Sequence, residues 1–357
     1  MTRVVVAPAS RPSRPVRPVR PVGPVGPVAR LGRLGLVGLL GLVGFASPRP
    51  AAAELEAGRR APDLYASATV QTPVPISVDR LRGRLVLLAF LKSDCPHCRA
   101  GVAALNALQR TWFPRGLRVV GAMREGRATV DGFVRDLGVA FPITFVDTEV
   151  LRDYDVSGFP SAFLVAPDGR LAWHGPPGAV TDAEVARRLA STPPWPDLPA
   201  GFDPLLTALR EDRWSEAAAG FGVCSAPDAC DAATAAAAAT MMTWISRTAE
   251  GLLAAAERDL AQGAPYEAWR TLDRLTRGFG AAGVGPRAAD RAAAILADPA
   301  RAREVEAGSA FEAARQRWAA EGRDAGVAAL DAVAATHRGT GAGFRAGEMA
   351  ARLRKRR

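Results

Sequence analysis

Residues 93–99 read Ser-Asp-Cys-Pro-His-Cys-Arg, with Pro96 and His97 between Cys95 and Cys98. An apolar run, Leu85 to Leu91, precedes the pair, and Val102, Leu105, Leu108 and Trp112 follow at helical spacing. This pattern predicts a strand, a turn and a helix whose first turn carries both thiols. A helix N-terminus offers free N–H groups and the positive end of the dipole, and both stabilise a thiolate. The thiolate is the form that attacks a disulfide, so the spacing points to dithiol–disulfide exchange with Cys95 and Cys98 as the catalytic residues.

The elements around this pair alternate. After the helix from Cys95 to Trp112 come a strand at 117–121, a helix at 129–137 and a strand at 143–146. A hairpin then turns at Asp168-Gly169, and a last helix is capped by Thr181. The order β-α-β-α-β-β-α predicts a central mixed sheet with helices on both faces. Thr192-Pro193-Pro194-Trp195-Pro196 opens a proline-rich linker over 192–204. Beyond it, 205–357 is rich in Ala and Arg, lacks β-branched runs and predicts an all-α domain. Leu209 to Ala217 weakly matches Leu260 to Ala268, the mark of helical hairpins stacked as in tetratricopeptide-type arrays.

The formal charge of +10 is not a nucleic-acid signal once located. Ten arginines against Glu54 and Glu56 give residues 1–60 a charge of +8, and the last six residues add +5, leaving 61–351 near −3. No basic face with interleaved aromatics remains. Residues 1–53 read as a signal peptide behind a Pro/Arg/Val-rich low-complexity stretch. Arg30 and Arg33 precede an apolar run from Leu34 to Ala46, and Ala51-Ala52-Ala53 makes a cleavage pattern. The run falls short of the ~20 residues that span a bilayer. The expected location is periplasmic or extracytoplasmic, and an uncleaved N-terminal anchor is the alternative that would involve a membrane.

Other chemistry-bearing residues have plainer readings. Zinc would need a second ligand pair, and Cys224/Cys230 lies across the linker at the wrong spacing, so no metal is expected. In an exported domain, Cys224 and Cys230 read as a structural disulfide pinning a loop. The other reading is a relay exchanging with Cys95 and Cys98. His174 and His337 read as surface or boundary residues, and Trp214, Trp244, Trp269 and Trp318 as core.

Four segments together resemble thioredoxin-fold thiol–disulfide oxidoreductases of the TlpA/ResA type. They are Ala61-Pro62-Asp63-Leu64, the strand and turn from Leu85 to Arg99, Tyr154 to Ser161, and the hairpin Phe163 to Arg170. The resemblance covers about residues 55–192, within a domain read as 54–191, and excludes the helical half. It implies that Cys95 is the nucleophile, that Cys98 resolves the mixed disulfide, and that Pro160, in cis after Phe159, shapes the substrate groove. It also implies that the electrons reside on the cysteine pair and that no cofactor is needed.

Two residues depart from the family pattern. Asp94 stands where a tryptophan is usual, and Ala89 where many thioredoxins bury an acid. Asp94 would place a negative charge near the thiolate and disfavour it. The Pro96-His97 dipeptide resembles the oxidising DsbA site and would favour it. The expected partners are protein thiols or disulfides and a redox protein, with a further protein partner possible on the helical domain. The competing expectation is a catalytically drifted scaffold, and a peroxide-reducing thiol enzyme fits the paired cysteines less well.

Overall fold

The computed structural model describes residues 57–355 apart from positions 67, 74, 191–195, 197, 212, 227 and 280–282. The signal segment 1–53, part of the proline-rich linker and the last two residues of the basic tail lie outside the described residues. The first half runs β1 (Thr69–Val70), α1 (Val78–Leu81), β2 (Leu85–Phe90), α2 (Pro96–Trp112), β3 (Leu117–Met123) and α3 (Arg127–Leu137). It continues with β4 (Ile143–Phe145), α4 (Thr148–Asp153), β5 (Ser161–Val165), β6 (Leu171–Gly175) and α5 (Asp182–Arg188). The strands form one sheet in the order β1-β4-β3-β2-β5-β6. Strand β2 is parallel to β3 and antiparallel to β5. This is the mixed, thioredoxin-like sheet expected from the sequence. Three elements go beyond that expectation: β1, α1 and α4, at two, four and six residues, are too short to show a hydrophobic period.

Side chains alternate across a strand, so a strand buried on both faces must be apolar throughout. Strand β2 meets that demand. Leu85, Leu87 and Ala89 face a core with Val102 and Leu105 of α2, Phe133 of α3 and Val185 of α5. Val86, Leu88 and Phe90 face the opposite core with Leu81 of α1, Val150 of α4 and Tyr154. Helices therefore cover both faces, and β2 ends in the middle of the sheet, where the two thiols follow.

The second half is α6 (Asp203–Arg210), α7 (Trp214–Gly222), α8 (Ala232–Ala261), α9 (Pro265–Phe279), α10 (Gly285–Ala297), α11 (Pro299–Glu321), α12 (Arg323–Thr336) and α13 (Gly341–Lys355). Consecutive helices pack on one another, and α11 also touches α9 and α13. Helix α8 is the longest, at 30 residues. Asp231 caps its start by accepting from Ala233 N and Thr234 N, and alanine-rich turns carry it forward. Cys224 and Cys230 are joined between α7 and α8, with their Cα atoms 5.3 Å apart. Trp214 and Trp244 stack in the core at 5.7 Å.

Arginines and acids bind this helical region to the sheet. Arg82, fully buried after α1, donates to the Asp168 carbonyl at 2.7 Å, to Asp259 Oδ2 of α8 at 3.1 Å and to Thr271 Oγ1 of α9. Gly169, at φ +84°, is required beside it, since a Cβ there would lie 2.9 Å from Arg82 Nε. Arg270 of α9 reaches Asp63 and Asp79, each at 3.4 Å, and Arg352 of α13 reaches Glu149 at 3.3 Å.

Candidate functional site

Cys95 is the N-cap of α2, and Pro96 is the first helical residue. Proline suits that position, because its fixed φ is already helical and its missing N–H is not needed there. The Cys95 sulfur takes the place of the usual oxygen cap and accepts the Cys98 N–H at 3.2 Å. Both cysteines carry free thiols. Across the cleft, the Cys95 thiol points at the carbonyl of Phe159, 3.6 Å away, and the Phe159–Pro160 bond is cis. Cys95 is half-buried, Pro96 and His97 are exposed, and Cys98 is fully buried in the same core as Ala89 and Val102.

Burial pushes the Cys98 thiol up to about 12, and its contact with the Cys95 sulfur adds to the effect. The two sulfurs are therefore unequal: one caps the helix start and is open, the other is protonated and enclosed. In the reduced protein, iodoacetamide at pH 8 is expected to label Cys95 and leave Cys98 unmodified. Below a pKa near 12 the thiolate fraction of Cys98 grows about tenfold per pH unit. In Cys95→Ser burial still holds the Cys98 thiol up, so its labelling should rise with pH through the alkaline range, as read by peptide mass spectrometry. Equal labelling of both cysteines at pH 8 would contradict the assignment.

The structure modifies the expectation for Asp94. Its carboxylate is paired with Lys92 Nζ at 2.8 Å, and that hydrogen bond holds it below the usual carboxylate range. The negative charge set against Cys95 in the sequence reading is thus accompanied by a positive one. Ala89 is buried and leaves the strand without an acid.

An acid does stand nearby, and sequence reasoning missed it. Glu125, two residues past β3, accepts the Ser93 N–H at 2.7 Å and tethers the loop that leads into the thiols. It also contributes to holding the Cys98 thiol up. The available signal was positional. Strands β2 and β3 are parallel neighbours, so the residues following both share one edge of the sheet. Phe159 and Pro160 reach the same edge from the start of β5. Of the other tryptophans, Trp214 and Trp244 are buried, while Trp269 and Trp318 are half-buried and pack against hydrophobic cores; Trp318 also lines a groove that contains Phe159. Among the described residues no cluster of His, Cys, Asp and Glu could hold a metal ion.

Residues 57–174 match the AhpC/TSA family. The thiol-disulfide oxidoreductase ResA of Bacillus subtilis is 30% identical over 98 residues, which are 27% of this chain and 55% of that protein. The ResA of Oceanobacillus iheyensis is 22% identical over 98 residues, covering 27% of this chain and 51% of that protein. The chain thus spans about half the length of the curated relatives it matches. A solved structure of a thiol-disulfide isomerase from Corynebacterium glutamicum has 22% identity, covers 37% of this chain and 96% of its own, and gives a TM-score of 0.32. The family match covers residues 57–174 and stops before the helical region.

Proposed function

We propose that the chain is an exported thiol–disulfide oxidoreductase that exchanges disulfides with protein substrates through Cys95 and Cys98. The observation that carries this reading is the Cys95 sulfur at the start of α2. It faces the Phe159–Pro160 segment, and Cys98 is enclosed one turn behind it. The Cys95 thiolate attacks one sulfur of a substrate disulfide. A Cys95–substrate disulfide forms, and the first substrate thiolate leaves and takes up a proton. Cys98 then loses its proton and attacks the Cys95 sulfur. The second substrate thiolate is released, and the Cys95–Cys98 disulfide remains. Two electrons have passed from the pair to the substrate, and the reverse sequence oxidises a substrate dithiol.

No separate cofactor is needed in this cycle. The export reading is supported by the signal pattern of residues 1–53 and by the second disulfide, Cys224–Cys230, since such bonds persist in oxidising compartments. The stacked hairpins after the linker are read as a tetratricopeptide-like surface for a partner or substrate. No helix among the described residues is long and apolar enough to cross a membrane.

The test is a glutathione redox titration of the whole chain, quenched with acid and read by peptide mass. One two-electron transition is expected at Cys95/Cys98, together with turnover of insulin disulfides when a dithiol supplies electrons. A pair that forms no disulfide across the titration, or that forms one without turnover, rules the function out and leaves the scaffold reading.

A further inference from the structure

A groove of about 490 Å³ lies beside the thiols, walled by Leu91, Leu151 of α4, Phe159 and Trp318 of α11, with Lys92, Arg124, Glu125 and Asp147 as its charged residues. Among the described residues lining it, Trp318 is the one that comes from beyond the linker. Phe159 belongs both to this groove and to the thiol site, because its carbonyl receives the Cys95 thiol. The groove and the thiol site therefore meet at Phe159.

The indole is held in place from two sides. Arg315, one turn earlier on α11 and almost fully buried, lies 3.3 Å from Asp153 Oδ2 and 3.7 Å from Asp147 Oδ2 of the thioredoxin-like domain. Its guanidinium is 4.0 Å from the Tyr65 ring centre and 5.3 Å from that of Trp318. Behind the indole, Gly326 of α12 leaves no room for a side chain, since a Cβ there would come within 2.4 Å of Trp318 Cβ. Each groove charge has a partner within the fold: Lys92 pairs with Asp94, Glu125 accepts the Ser93 N–H, Arg124 donates to Thr148 Oγ1 at 2.7 Å, and Asp147 lies 3.7 Å from Arg315. Between them the groove presents the apolar surfaces of Leu91, Leu151, Phe159 and Trp318, the last on a preorganised wall.

We propose that the helical region completes the substrate site, with Trp318 receiving an aliphatic or aromatic side chain that flanks the reactive cysteine of the substrate polypeptide. This rests on the oxidoreductase reading above. It makes Trp318 a specificity-determining residue and gives the helical region a direct role in the thiol site.

The test uses two short peptides, each with one cysteine bound as a disulfide to 2-nitro-5-thiobenzoate. They differ only in carrying Leu-Phe or Ser-Ser beside that cysteine. Attack by Cys95 on the peptide sulfur releases the coloured thiolate from both. The ratio of their second-order rate constants, measured in a single turnover of the pre-reduced chain, therefore cancels any general effect on the thiols. Wild-type chain is expected to favour the apolar peptide about tenfold, the scale of a filled apolar pocket. Trp318→Ala should bring the ratio close to one, and Trp318→Phe, which keeps a ring against Gly326, should retain most of it. A wild-type ratio near one, or an unchanged ratio in Trp318→Ala, overturns the proposal. A wild-type chain that releases colour from neither peptide overturns the oxidoreductase reading instead.

Discussion

Cys95→Ser is expected to reduce disulfide exchange to the uncatalysed background, whereas Cys98→Ser stops the cycle halfway and accumulates a covalent complex with substrate. The asymmetry follows from burial. Cys95 is half-open to the cleft, and Cys98 has no solvent-exposed surface. A hydroxyl in place of the Cys95 sulfur is not a nucleophile toward a disulfide at neutral pH, so the first bond cannot form. With Cys98 replaced, the first bond still forms. The mixed disulfide then lacks the thiol one turn behind it, and solvent thiols must approach past Phe159. Non-reducing electrophoresis of Cys98→Ser with an oxidised protein substrate should show a thiol-sensitive adduct that is absent from Cys95→Ser and from the double variant. An adduct that persists in Cys95→Ser would assign the attack to another cysteine. Residual wild-type turnover in Cys95→Ser would remove the thiol pair from the mechanism.

Much of this site was legible because its signals are local. The β2 run, the two cysteines and the α2 apolar spacing lie within 28 residues, from Leu85 to Trp112. Each implies the next through periodicity and helix-start chemistry. Phe159-Pro160 was legible through resemblance, since nothing within its own neighbours says that it faces Cys95. Glu125 and Trp318 escaped for a different reason. Both reach the site through chain packing between residues far apart in sequence, and an acid after a strand or a tryptophan in a helix is locally unremarkable. Trp318 fits a helical apolar stripe as well as any core residue does. Only the docking of α11 through Arg315 onto Asp147 and Asp153 turns its indole to the groove.

The same limit hid the joint between the two halves, and Asp259→Ala is expected to show its strength. Asp259 lies in α8, is 3% exposed, and in sequence is one acid near the end of an alanine-rich helix. In the fold its two oxygens receive three arginines of the thioredoxin-like domain: Arg60 at 2.9 Å, Arg82 at 3.1 Å and Arg170 at 2.9 Å. Burial, followed by the charge of Arg82, already draws Arg60 down to about 10 with the carboxylate present. Arg60 therefore stays charged at neutral pH and needs its counter-ion. Without the carboxylate, the guanidinium of Arg82 would be left enclosed with only the neutral Asp168 carbonyl, Thr271 and the more distant Asp79 at 3.8 Å. Removing one partner of a buried ion pair costs about 3–5 kcal/mol, because the surviving charge has lost its solvent and gained no replacement. Asp259→Asn keeps the size and one acceptor oxygen but not the charge, and should lose less. Urea denaturation followed by far-UV circular dichroism measures both variants. A loss below about 1 kcal/mol for Asp259→Ala, the scale of a solvent-exposed pair, would mean that water reaches these arginines and that the joint is held by apolar packing instead.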